Sequence, residues 1–218
     1  KEPCLELKKL YGHIDLLLVG YSGAGPYPQC FEMNESEKLN AAENKKQQFF
    51  HQAEDYINLL EPKYFLPFAG RYTLGGKLSE LNDFRGVPEL DDSYAYFENS
   101  KNIDSTKSKC IFLNPESIFD LETSLPSDKH KKINLKEKND YIKNILSTKK
   151  LDYEYEPTPL KNELMELFPL CYDRFESRRK RIGFTSDTLL LIEYFDGEYI
   201  QISCNGNGFT YKPSKELN

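Results

Sequence analysis

Between His13 and Gly76 the hydrophobic pattern changes period twice. The run Ile14-Asp15-Leu16-Leu17-Leu18-Val19 is almost unbroken in apolar character, and so is Tyr64-Phe65-Leu66-Pro67-Phe68. Short continuous runs of this kind suit buried strands of a parallel sheet. Between them Leu39, Ala42, Phe49, Ala53, Tyr56 and Leu60 recur at a spacing of three to four or its multiple, which predicts one amphipathic helix over residues 35–60. Asn34 or Ser36 caps its first turn, Glu35 and Glu37 suit the positive end of its dipole, and Pro62 stops it. Strand, helix and strand in this order predict a right-handed βαβ unit with two neighbouring parallel strands. Both following loops, Gly20 to Cys30 and Ala69 to Gly76, then emerge at the carboxyl edge of the sheet. Open α/β sheets keep their chemistry at that edge.

Downstream the pattern loosens. Residues 77–106 read as a polar excursion with a short helix around Ser93 to Glu98, and Cys110-Ile111-Phe112-Leu113 makes a short buried strand ended by Asn114-Pro115. Residues 120–150 are rich in lysine and poor in large apolar side chains, and they form a surface connection with one helix from about Leu135 to Leu146. From Leu160 a second amphipathic segment carries Leu164, Leu167, Phe168, Cys171, Tyr172 and Phe175. Pro169 should end or kink it. A β-hairpin pairs Thr188 to Tyr194 with Tyr199 to Ser203 through the reversal Asp196-Gly197. The organisation is therefore 1–120 as an α/β (α+β) unit with a β-α-β core, 121–159 as a connection, and 160–218 as a helix and β-hairpin appendage.

Composition narrows the class. A chain of 218 residues with 39% hydrophobic and 13% aromatic side chains can bury an ordinary core. No apolar run reaches the roughly 20 residues of a membrane span, so no membrane partner is expected. A net charge of −6 argues against a nucleic-acid partner, and the one dense basic cluster, Arg178-Arg179-Lys180-Arg181, reads as a solvated helix end. Five cysteines, odd in number and without CxxC pairing, indicate neither a disulfide framework nor a zinc knuckle, and fit a cytoplasmic setting. The chain opens on Lys1 without a signal-peptide progression, which suggests a fragment or processed product.

Catalytic constellations are scarce. His13, His51 and His130 are the only histidines and have no HxH, HxxH or HExxH spacing, so no metal site is expected within this chain. Tyr21-Ser22-Gly23-Ala24-Gly25 lacks the Gly-x-Ser-x-Gly order of a nucleophile elbow, and it also fails the glycine patterns of nucleotide cradles. No catalytic residue is assigned. The carboxyl-edge loops do offer Tyr21, Ser22, Tyr27, Gln29, Arg71 and Tyr72 as substrate-binding candidates. Arg71 stands out because its planar fork matches carboxylate and phosphate, against the plainer reading of a surface arginine in an ion pair. Asn82 and Arg85 are weaker candidates.

The segment Asp15 to Ala24 followed by Pro26-Tyr27-Pro28, the long helix, and then Pro67-Phe68-Ala69-Gly70 resembles the second half of a metallo-β-lactamase-fold protein. The branch is the one that includes the hydrolase-like domain of CMP-N-acetylneuraminate hydroxylases. The resemblance covers about residues 10–90, extends tolerably over 107–120, and implies the C-terminal part of an αβ/βα sandwich. It also implies a zinc or iron site bound mainly by a His-x-His-x-Asp-His motif in the first half, a motif this sequence does not contain. The metal-binding half would then lie upstream of Lys1 or have been lost. Ala69-Gly70 stands where many members place a late histidine ligand, and the branch in question carries alanine-glycine there as well. Two functions follow. One is part of a metal-dependent hydrolase-like protein acting on a polar or anionic small molecule, with the missing N-terminal half as partner. The other is a non-catalytic binding or interaction module that kept the fold without the metal.

Overall fold

A computed structural model of the chain describes residues 2–68, 70–157, 161–186, 188–195, 197–204 and 208–213. The chain divides into two compact units, Lys1–Leu151 and Asp152–Asn218. In the first, β1 (Leu16–Gly20), β2 (Tyr64–Phe68) and β3 (Lys109–Cys110) form a parallel sheet in the order β1-β2-β3. Helix α1 (Glu2–Tyr11) precedes the sheet, and α2 (Glu35–Leu60) connects the first two strands, as the change of period predicts.

Asn34 is the cap of α2: its side chain accepts from the Glu37 amide at 2.9 Å while the Glu37 carboxylate takes the Asn34 amide at 3.2 Å. This reciprocal pair satisfies two amides that the first helical turn leaves open. Ser36 does not cap; it donates to the Asn34 side chain. The helix ends on Glu61, which sits in the left-handed region at φ 46° just before Pro62. The Glu61 carboxylate accepts hydrogen bonds from Lys107 (2.7 Å) and Lys8 (2.6 Å), and these hold its pKa down at about 2.

The buried stripe of α2 is rotated from the one the sequence suggests. Ala42, Phe50, Ala53, Ile57 and Leu60 are buried, whereas Leu39 is exposed and Phe49 and Tyr56 lie at the margin. Adjacent Phe49 and Phe50 made two registers possible, and burial of Ile57 one turn beyond Ala53 selects the second. The stripe packs on Leu17, Val19 and Phe65, with Tyr21, Phe97 and Ile103 completing the core. Glu54 is also buried on this helix, accepting from Ser100 at 2.5 Å and Asn102 at 3.0 Å.

Side chains alternate across a strand, so Leu16, Leu18, Leu66 and Phe68 lie on the sheet face opposite α2. Leu18 is 49% and Phe68 51% exposed there, and Leu18 pairs in register with Leu66. At the amino end the same face is partly covered, because Tyr64 packs against Phe119 with ring centroids 5.0 Å apart.

Helix α3 (Leu90–Asn99) is longer than the Ser93 to Glu98 segment expected. Strand β3 is shorter than Cys110 to Leu113, although the Ile111 amide extends the ladder to Phe65 at 2.9 Å. Strands β4 (Phe119–Asp120) and β5 (Leu125–Pro126) form a small antiparallel hairpin. Helix α4 (Leu135–Tyr141) passes into a wider turn over Ile142–Leu146, so the segment from Leu135 to Leu146 is helical throughout.

The second unit joins α5 (Lys161–Arg181) to an antiparallel sheet of β6 (Leu189–Phe195), β7 (Glu198–Ser203) and β8 (Phe209–Pro213). Pro169 does not end α5. It sits on an exposed face, where a missing amide and its hydrogen bond are replaced most cheaply by water. The helix ends at the basic cluster, where Arg179 is pinned by Glu176 at 2.8 Å and by the Phe184 carbonyl at 2.8 Å. Strands β6 and β7 pair as expected, with Gly197 at φ 68° in their turn, while Leu160 and Asp196 lie outside the described residues. Strand β8 lies outside the hairpin that the sequence predicts, and its Phe209 packs on Phe168 and Tyr172 of α5. Among the described residues no helix is long and apolar enough to cross a membrane.

Candidate functional site

The two loops that leave β1 and β2 are tied to each other. The Tyr72 hydroxyl donates to the Gly25 carbonyl at 3.4 Å and accepts from the Gln29 amide at 3.2 Å, and the same amide donates to Gly25 at 2.5 Å. Gln29 is only 2% exposed, so this cluster lies under the loop surface. Of the six substrate-binding candidates, Gln29 and Tyr72 therefore fasten the edge together. Tyr27 is exposed and stacks edge-on against Phe31 at 5.2 Å, and Ser22 is half-buried.

Tyr21 is 1% exposed, stacked on Phe50 and set edge-on to Phe97. Burial pushes its hydroxyl pKa up, against a hydrogen bond with Ser93 that lowers it. This buried ring explains one of the glycines. A Cβ on Gly70 would lie 2.3 Å from Tyr21 Cζ, and one on Gly23 would lie 2.1 Å from Phe49 Cζ. At both positions the space a side chain would take is filled by an aromatic ring of the same unit. Gly70→Ala is expected to cost about 1–3 kcal/mol, because Tyr21 is wedged between two rings and cannot retreat. Gly23→Ala should cost less, since half-buried Phe49 can swing outward. Urea unfolding of the two variants checks the order.

Arg71 donates from Nη2 to Glu89 Oε2 at 2.9 Å, and Glu89 also receives Lys138. The Arg71 side chain remains 28% exposed, and a guanidinium has five donors, so the ion pair leaves part of its fork available. Asn82 and Arg85 have a bracing role. Asn82 accepts from the Leu74 amide at 2.9 Å and donates to the carbonyls of Leu74 and Ser79 at 3.0 and 2.7 Å. Buried Arg85 donates to the carbonyls of Asn82 and Tyr72 and lies 5.5 Å from the Tyr72 ring. Burial pushes the Arg85 pKa down.

Two clefts flank this edge. One, of about 440 Å³, sits over the strand ends and is lined by Phe68, Gly70, Arg71, Tyr94, Asn114 and Ser117 among others. Burial pushes the Tyr94 hydroxyl up to about 12. The other, of about 410 Å³, lies between the Gly23 to Tyr27 segment and α2, with Asn44, Lys45 and Gln48 in its wall. Lys45 donates to the carbonyls of Tyr27 (2.7 Å) and Arg85 (3.2 Å), and burial lowers its pKa. Sequence reasoning missed Lys45, Glu89, Tyr94, Asn114 and Ser117. Only Asn114 carried a signal, as the end of a strand at the same edge; the others reach the site from helices and loops whose placement periodicity does not give.

Among the described residues no three His, Cys, Asp or Glu side chains are grouped to hold an ion. His13 pairs with Asp15 at 3.1 Å just ahead of β1, and His130 pairs with Asp91 at 2.7 Å beside α3. The donors present do not fit the zinc or iron centre that the family resemblance implies, and Ala69 lies outside the described residues. The chain matches no protein-family model, no curated protein and no solved structure.

Proposed function

We propose that the first unit is the substrate-contacting half of a metal-dependent hydrolase-like protein. In this reading the sheet face opposite α2 packs against a second β-layer that supplies the metal ligands. The strand-end cleft receives a small anionic molecule, and Arg71 contacts its charge. The observation that carries the reading is the uncovered apolar face of Leu16, Leu18, Leu66 and Phe68, with Leu18 and Phe68 about half exposed. Purely parallel sheets are stable with both faces covered. Contiguous exposed apolar surface marks a contact. The cleft over the strand ends lies where open α/β sheets take ligands.

The test is thiol accessibility. Leu18→Cys and Phe68→Cys are labelled in the 218-residue chain and in the protein produced from its own gene, with modified peptides read by mass spectrometry. The reading predicts strong protection in the native protein and fast labelling in the chain alone. Equal rates in both would favour the binding module that kept the fold without a second layer.

The ligand half of the reading has its own test. Binding is screened by calorimetry against inorganic phosphate and succinate. Arg71→Ala should weaken the tighter of the two by about 1–3 kcal/mol, the range for a lost charge-assisted hydrogen bond. Unchanged affinity with an intact fold by circular dichroism would remove Arg71 from the site.

A further inference from the structure

We propose that the groove between β3 and the β4–β5 hairpin binds a small molecule with a ring-sized apolar body and one anionic head group, a carboxylate or sulfonate. The groove encloses about 400 Å³, the small end of the range for ligand sites. Its walls are Tyr64, Ile111, Phe112 and Phe119, and Lys109 and Lys129 stand at its margin. The aromatic walls are already fixed. Tyr64 and Phe119 pack at 5.0 Å between centroids, and Phe112 packs on Tyr94 at 4.1 Å. A ring lying in the groove against these faces meets surfaces that their own packing already fixes, which keeps the ordering cost of binding low.

Among the described residues no carboxylate lines the groove directly and neither exposed lysine has an ion-pair partner, while His130, which also lines it, is paired with Asp91 at 2.7 Å. Cys110 also lines it, and burial drives that thiol pKa far up, so the sulfur stays protonated and contributes a neutral wall. The site is therefore built for binding and not for covalent attack. It is also separate from the strand-end cleft. Tyr64 and Lys109 are paired first residues of β2 and β3, at the amino end of the sheet, whereas Arg71 follows β2 at the carboxyl end.

The probe is 1-naphthoate, whose fluorescence can be followed cleanly because the chain contains no tryptophan. One saturable equivalent per chain is expected, with 1-naphthylmethanol binding about tenfold more weakly for want of the charge. The double variant Lys109→Gln/Lys129→Gln should lose about tenfold for naphthoate and nothing for the alcohol. These are surface changes that leave the core intact. Lys143→Gln, at an exposed lysine outside both this groove and the strand-end cleft, should leave binding unchanged. Absence of saturation, an unaffected lysine double variant, or an equal loss in Lys143→Gln would overturn the proposal.

Discussion

Phe97→Ala is expected to destabilise the first unit by about 3–5 kcal/mol, the range for emptying a large aromatic site in a packed core. Phe97 is 3% exposed and is met edge-on by four rings, those of Tyr21, Phe50, Phe65 and Tyr96. Those rings come from the β1 loop, α2, β2 and α3 itself, so one truncation loosens contacts between several elements. Edge-to-face geometry adds to area burial, and ring-shaped cavities between rigid neighbours collapse poorly. Urea unfolding followed by circular dichroism gives the value. Leu39→Ala, on the same long helix but exposed, should change stability by less than about 0.5 kcal/mol.

That contrast also marks where the sequence could be read and where it could not. The βαβ core was legible because its signals are local: two continuous apolar runs, a capped helix and a proline stop. The facing of the helix was not, since Phe49 and Phe50 are adjacent and only the packed partner decides which is buried. Helix α3 looked short because its inward residues, Ser93, Tyr94 and Phe97, include a serine whose hydroxyl donates to the Glu89 carbonyl at 2.8 Å. Hairpin β4–β5 has two residues per strand, too few for any alternation to register.

At the candidate site the loops themselves were legible and their internal chemistry was not. Glycine-rich turns at the carboxyl edge suggested room for a ligand, yet Gly23 and Gly70 make room for Phe49 and Tyr21. The sequence leaves Arg71 open between an anion contact and an ion pair, and Glu89, 18 residues further on, provides the pair. Such a partner depends on how α3 docks against the strand ends. Lys45 was hidden for the same reason: its role is set by two backbone carbonyls, which every residue has.

If a second layer covers the sheet face of Leu18 and Phe68, Leu18→Asp reports it. Leu18 lies in the middle of β1, opposite Leu66 in register, on the side away from α2. In the 218-residue chain it is about half exposed, so a carboxylate there can reach water, and the lost half of the leucine burial together with the low strand propensity of aspartate should cost about 1–2 kcal/mol. Beneath a covering layer the same carboxylate would be buried without a partner. That costs about 3 kcal/mol or more, or leaves the protein insoluble. The measurement is the midpoint of urea unfolding for Leu18→Asp in the protein produced from its own gene, set beside the same substitution in the isolated chain. A loss clearly larger in the native protein than in the chain alone is expected; the same loss in both would rule out a covering layer.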